Sequence, residues 1–398
     1  MKALNLKDHC DNVVKSRAGE EYLKVAAIYG ANASGKTNLL DALQHMIFLV
    51  HSSLSANPES KRVPQFRYVY SEKGRNTKPT YEVFFEFNER EYQYGFVLDK
   101  TNINEEWLYK RDYRSKSKYE MIFERDKQKF NLSKSLGMMK QITDTLKEHV
   151  LLLSILSNFK NTDIDNVMTW FKNVDVLNFG NTYFEAMLER TIPNINFEDS
   201  LQKKKFEEYL CSFEPGLTGV RLEKTGKKTN ANGTESDAFN FYSQRKDVDS
   251  GDIIELPLQL ESSGTLKMIS LYDSIYEALL HGSTLFVDEL DAKLHPLLTR
   301  NIINMFQNPI NNPKGAQIIF TTHDVNLLKK EYFRRDQVWF CEKDESGITD
   351  LYSLVEYKLN DGKKVRYDAS FDKDYLSGKY GAIPLVREFG LGDDYGIR

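Results

Sequence analysis

Residues 30–37 read Gly-Ala-Asn-Ala-Ser-Gly-Lys-Thr, the spacing G-x-x-x-x-G-K-[ST] of a loop that cradles phosphates. Before it, Leu23 to Tyr29 is an apolar run of strand length, and after it Asn38 to Val50 places apolar residues at helical spacing. Strand, glycine-bounded loop and helix in that order aim a row of backbone N–H groups at one point, where the helix dipole also favours an anion. Lys36 is expected to reach the β- and γ-phosphates of a nucleoside triphosphate, and the Thr37 hydroxyl to hold Mg²⁺.

A second group of chemically suggestive residues lies some 250 positions later. Leu285-Phe-Val-Asp-Glu289 is an apolar run ending in two carboxylates. A buried strand would push Asp288 out at its carboxyl end towards Mg²⁺ and leave Glu289 to polarise an attacking water. Asp291 follows, and Pro296 opens a helix. The run 318–324 (IIFTTHD) is another buried strand, ending in His323, which could contact a γ-phosphate. Residues 260–268 (LESSGTLKM) set a Ser-Ser-Gly turn ahead of an amphipathic helix, a second anion cradle.

The elements around these residues imply an α/β protein. From about 252 to 345, helix, strand, helix, strand and strand alternate, the pattern of a mostly parallel sheet. Residues 81–87 and 91–99 alternate apolar and polar side chains and predict an antiparallel hairpin. Residues from about 135 to 215 read as helical, and Glu223 to Asp247 as an exposed loop or hairpin. Four regions follow: 1–100 with the phosphate loop and a β subdomain, 101–250 as an inserted β/helical lid or arm, 251–345 returning to the α/β pattern, and 346–398 as a C-terminal extension.

Composition bounds the function. With 40% hydrophobic and 28% charged residues, the 398-residue chain is globular and can bury a sizeable core. A net charge of −4 does not imply nucleic-acid binding through overall charge, and the short lysine runs at 203–205 and 224–228 read as solvated faces. Three cysteines without a C-x-x-C pair suit a reducing cytosol and speak against a zinc site. No apolar stretch is long enough to span a bilayer, and no secretory signal is apparent, so a cytosolic protein is expected. The pair Asp372 and Asp374 lies in a polar, loop-like stretch and reads as solvated acid rather than a metal site.

Taken together, the phosphate loop, Ser/Gly turn, apolar run ending in Asp-Glu, Asp291 and His323 resemble the ABC-type ATPase core, and within it the SMC, RecF and OLD group. The wording IYGANASGKTNLLDAL, ESSGT, DELDAKLHP and YLSGKYGAIP is similar to ATPases of prokaryotic antiphage defence, the RloA- and AbiL-like proteins and the ATPase of PARIS systems.

The resemblance implies an ABC-type head with an antiparallel β subdomain and a helical insertion, binding ATP and Mg²⁺ between two subunits placed head to tail. It assigns Gly30, Asn32, Ser34, Gly35, Lys36, Thr37 and Asn38 to the triphosphate, and Ser262 and Gly264 to the γ-phosphate of the partner subunit's nucleotide. Asp288 belongs to Mg²⁺, Glu289 to the water, Asp291 to communication between the two sites, and His323 to γ-phosphate sensing. A glutamine usually follows the phosphate-loop helix and touches Mg²⁺, and Gln65 lies in about the right region.

The group normally begins with an N-F-[KR]-S/C-like strand, and none of the 29 residues before Gly30 reads that way, which leaves the base contacts open. OLD-type nucleases carry a Toprim domain after the ATPase, and only 75 residues follow His323. The resemblance therefore implies an oligomeric control subunit with a separate effector, a Toprim or other nuclease, and a phage-derived trigger. Residues 350–390 are a segment where such a partner could dock. The rival reading is a RecF- or SMC-like clamp that closes on DNA with ATP. The motor of a membrane transporter fits the β-rich stretch and the insertion poorly.

Overall fold

The run Val25–Tyr29 (β3) has no charged side chain and every residue is buried, so it can only be an inner strand covered on both faces. In the computed structural model, which describes residues 1–16, 19–55, 68–112, 118–180, 199–214, 216–229, 235–359 and 362–384, β3 lies inside a six-stranded sheet. Its neighbours are Gln317–Thr321 (β14) and Val338–Lys343 (β15), both parallel to it. Thr284–Asp288 (β13) pairs with β14, Asp175–Asn178 (β9) pairs with β13, and Thr349–Ser353 (β16) closes the other edge antiparallel to β15. The expected α/β architecture with a mostly parallel sheet is therefore present.

Parallel strands bring their carboxyl ends to one rim, where ligands of open α/β sheets bind. Here that rim gathers the loop after Tyr29, the acids after Val287 and the Thr321–His323 turn. Alternate residues of the strands pack to opposite sides. Val25, Ala27, Leu285, Val287, Ile318 and Phe320 pack together with the helices Ser263–His281 (α5) and Pro296–Gln307 (α6). On the other face lie Ala26, Ile28, Ile319 and Cys341.

The second body is a five-stranded antiparallel sheet: Thr80–Phe87 (β4), Arg90–Asp99 (β5), Asn102–Asp112 (β6), Glu120–Asp126 (β7) and Lys129–Leu132 (β8). The expected hairpin closes through Asn88 and Glu89, both left-handed (φ 50° and 63°), the turn that matches strand twist. The phosphate-loop helix Lys36–Ser52 (α1) joins the two bodies, because Met46, Leu49 and Val50 enter the antiparallel sheet's core. The described part of Glu223–Asp247 lies largely in two paired antiparallel strands, Leu217–Thr229 (β10) and Glu235–Lys246 (β11), and Ile253–Pro257 (β12) pairs with β11.

Residues 135–215 depart from the helical expectation. Residues 181–198 and 215 lie outside the described residues; the described α-helices of the range are Lys140–Thr143, Leu152–Leu156 (α2), Thr162–Asn173 (α3) and Ser200–Cys211 (α4), and β9 sits among them as a strand of the main sheet. Asn161 explains one break: its side chain accepts from the Asp163 and Ile164 N–H groups and so starts a new helix. The pair Asp372/Asp374 lies on a short helix, Phe371–Leu376 (α7), rather than in a loop, and Asp374 accepts from Tyr380 and Lys379. Tyr375, Tyr380 and Ala382 are buried in the main core, so this part of the C-terminal stretch is packed rather than free.

The antiparallel body is tied to α2 by a buried acid. Glu106 accepts from the Leu152 and Leu153 N–H groups (2.6 and 2.9 Å) and lies 3.8 Å from Arg125, both side chains fully buried. Arg125→Met leaves that carboxylate without its counter-charge. The expected cost is about 3–5 kcal/mol, read as a lowered urea midpoint; an unchanged midpoint would contradict the role given to the pair.

Candidate active site

The phosphate loop is shaped by close approach. Gly35 has φ 107°, and a Cβ there would lie 2.4 Å from Thr349 Oγ1, so only glycine fits. A Cβ on Gly30 would lie 2.4 Å from the Cys341 carbonyl oxygen. The β15–β16 ribbon thus braces the loop from behind, and Thr349 Oγ1 donates to the Ser34 carbonyl (2.9 Å).

Within the loop the Lys36 ammonium is nearly buried and donates to the Gly30 and Ala31 carbonyls (2.8 and 3.1 Å). Burial lowers its pKa and the surrounding acids offset part of that. Ser34 Oγ is buried with no hydrogen-bond partner among the described residues. An orphaned hydroxyl and a turned-in ammonium beside a row of backbone N–H groups fit a phosphate chain. Asn32 and Asn38 are exposed on the loop and on the first turn of α1.

The acids meet this loop directly. Asp288 has 0% exposure and accepts from Thr37 Oγ1 (2.7 Å) and from the Thr321 hydroxyl. A hydroxyl and a carboxylate already side by side form the hard-oxygen pair that suits Mg²⁺.

Glu289 is left-handed at φ 51°, a conformation that costs a non-glycine residue on the order of 1–3 kcal/mol. Both of its backbone groups are held. Its N–H donates to Thr321 Oγ1 (2.8 Å), and its carbonyl accepts from Lys267 Nζ (2.7 Å). Lys267, only 1% exposed, also donates to the Ala292 carbonyl (2.8 Å) and lies 4.1 Å from the centre of the Phe179 ring.

His323 and Asp291 complete the cluster. The His323 N–H points at both Asp291 carboxylate oxygens (3.3 Å each). Burial lowers the His323 pKa and the Lys36 charge lowers it further, against an upward pull from Asp291, Glu289 and Asp288. Ser262 and Gly264 stand apart, at the N-terminus of α5. Ser262 is exposed and caps the helix by accepting from the Thr265 N–H (3.1 Å). Lys267 links that helix end to the acids. Gln65 falls outside the described residues.

Two contributors were missed in the sequence. Lys267 reads as one more polar position of an amphipathic helix. Gly180, just past β9, lies so close that a Cβ on it would be 3.2 Å from Asp288 Oδ2 and 3.4 Å from Glu289 Oε1. Beside it, Asn178 donates to Asp41 of α1 (2.9 Å).

Residues 25–329 match the profile of a family described as an AAA domain, putative AbiEii toxin, type IV TA system. Among solved structures, the Smc head domain with a coiled coil and joint from Pyrococcus yayanosii is similar at 16% identity and a TM-score of 0.27. That alignment covers 55% of this chain and 33% of the other. No curated protein matches the chain.

The imidazole of His323 is expected to titrate below its ordinary value of 6.5, so the neutral form holds at pH 7. Lys36→Met removes one downward push and is expected to raise the midpoint. Histidine NMR titration of the two proteins checks this; a midpoint that stays put would mean that Lys36 does not act on His323.

Proposed function

Because the chain belongs to this AAA-domain family, we propose that it binds and hydrolyses ATP with Mg²⁺, as the control subunit of an antiphage defence system. The observation that carries the ATPase reading is the hydrogen bond between Thr37 and Asp288, residues 251 apart in sequence and 2.7 Å apart in space. It joins a phosphate loop to a buried carboxylate at the carboxyl rim of the sheet.

On this reading the backbone N–H groups of residues 30–37 and the N-terminus of α1 take the triphosphate, and Ser34 Oγ gains a partner. Lys36 swings from the Gly30 and Ala31 carbonyls onto the phosphates. Thr37 and Asp288 hold Mg²⁺, which when bound neutralises developing charge on the phosphates. Glu289 accepts a hydrogen bond from the attacking water and orients it. Neutral His323 donates towards the γ-phosphate, and Asp291 fixes its backbone. Ser262, exposed, and Gly264, partly buried, at the N-terminus of α5, would close on the nucleotide of a second subunit.

Two observations support the defence role. The motif wording shared with defence ATPases supports it, as does a family description that names a putative toxin of a type IV system. The effector, a separate nuclease, would be controlled by ATP-dependent assembly.

Three substitutions test the chemistry. Lys36→Ala is expected to abolish nucleotide binding, by equilibrium titration with a fluorescent ATP analogue. Glu289→Gln is expected to bind normally and hydrolyse about 10²–10⁴-fold more slowly; turnover at the wild-type rate would remove Glu289 from its role. Lys267→Met, which frees the Glu289 carbonyl, is expected to slow hydrolysis about 10–100-fold without weakening binding; equal loss in both would mark it as a folding residue only.

The biological role is tested by purifying Glu289→Gln from its host with and without Mg-ATP. A nuclease co-purifying with ATP supports a control subunit, whereas DNA retained alone and only with ATP makes the protein a clamp.

A further inference from the structure

Two hydrogen bonds lie side by side where the phosphate-loop helix meets the sheet. Asp288 and Asn178 are level with each other on the parallel strands β13 and β9, and residues so paired project to the same face of a sheet. Thr37 and Asp41 stand one turn apart on one face of α1. Thr37 Oγ1 donates to Asp288 (2.7 Å), and Asn178 Nδ2 donates to Asp41 (2.9 Å). The first bond belongs to the site already described. The second joins an acid and an amide to which the proposed mechanism gives no task.

The Asn178 amide is only half satisfied. The residue is 6% exposed, and its Oδ1 is buried with no hydrogen-bond partner among the described residues. The bond to Asp41 fixes which end of the amide is which, because a carboxylate oxygen accepts from the nitrogen. The oxygen is left to accept from something else, and an unpaired amide oxygen in the interior is costly. Asp288, level with it, brings further acceptor oxygens rather than a donor. Burial raises the Asp41 pKa, the bond from Asn178 lowers it, and the Asp288 charge raises it again, so the two carboxylates share one field. A water with one hydrogen on Asn178 Oδ1 and the other on Asp288 would satisfy both and turn its lone pairs to a cation. Mg²⁺ keeps several such waters and is held through one or two carboxylates. Gly180 keeps the spot clear, since a Cβ on it would lie 3.2 Å from Asp288 Oδ2.

We propose that Asp41 and Asn178 are a positioning pair for the metal: Asp41 holds the amide, and the Asn178 oxygen accepts a hydrogen bond from a water bound to Mg²⁺. The inference rests on the reading of Thr37 and Asp288 as the residues that hold Mg²⁺, and extends that set from two residues to four. It brings β9, an edge strand of the main sheet, into the site. The pair acts through the metal's water and not on the phosphates, so nucleotide without metal binds equally well in its absence.

The probe is Mn²⁺, titrated into the full chain with a non-hydrolysable ATP analogue, the protein being in excess over the analogue and free metal being read by electron paramagnetic resonance. Asn178→Ala is expected to weaken Mn²⁺ binding about 10–100-fold, while the affinity for the analogue in EDTA stays within about twofold. Asp41→Asn is expected to weaken Mn²⁺ in the wild-type background and to have little further effect beside Asn178→Ala, because it acts through the amide. Additive losses would make Asp41 a charge acting on its own and would overturn the pairing. Unchanged Mn²⁺ affinity in Asn178→Ala would overturn the proposal and leave the amide oxygen to an ordinary buried water. Equal loss with and without metal would also overturn it, since the residue would then serve folding only. A wild-type protein that holds Mn²⁺ no more tightly than the free analogue does would overturn the magnesium reading of Thr37 and Asp288 itself, and this proposal with it.

Discussion

The carboxylate of Asp288 is the point on which the site depends. It is fully buried at the end of β13 and accepts from a hydroxyl on α1 and from one on β14. A buried carboxylate without hydrogen-bond partners would be costly, so these two bonds are conditions for placing it there. They also fix three elements against one another. Because β13, β14 and β3 are adjacent and parallel, the phosphate loop, the two acids and His323 all arrive at one rim without long connections of their own.

The strained residue next to it is held from both sides. Glu289 keeps a left-handed backbone because Thr321 binds its N–H and Lys267 its carbonyl. Lys267 lies little more than one turn into α5, the helix whose exposed end carries Ser262 and Gly264. On the proposed reading, α5, with its buried ammonium, runs from the surface that would meet a second subunit to the backbone of the acid that would orient water. In that arrangement a partner's nucleotide pressing on Ser262 would be felt at Glu289, which gives a physical route for pairing the two sites.

How much was legible in the sequence followed from pattern strength. The runs ending at Tyr29, Val287 and Thr321 are short, continuous and apolar, and each became a buried parallel strand. The 81–99 hairpin announced itself by alternation, and the structure closes it through Asn88 and Glu89. β9 was missed because only Val176 and Leu177 are apolar in a four-residue strand with an acid at one end and an amide at the other. Its identity as a strand comes from β13 beside it, a long-range pairing that no local pattern encodes. Lys267 was invisible for a related reason, since a lysine on an amphipathic helix normally faces water. Within residues 350–390, expected as a segment where a partner could dock, Tyr375 and Tyr380 pack against Phe340 and the Tyr352 hydroxyl donates to the Tyr380 carbonyl, a burial that no local pattern announced.

The central claim is that two chains complete each other's nucleotide sites. Native mass spectrometry of the Glu289→Gln protein with and without Mg-ATP tests it most directly. The account predicts a single chain, or a weaker assembly, without nucleotide and a two-chain species holding two ATP molecules with it, or an even-numbered multiple of that unit. A single chain that binds one ATP and never pairs would contradict the account, and would leave Ser262 and Gly264 without the role given to them.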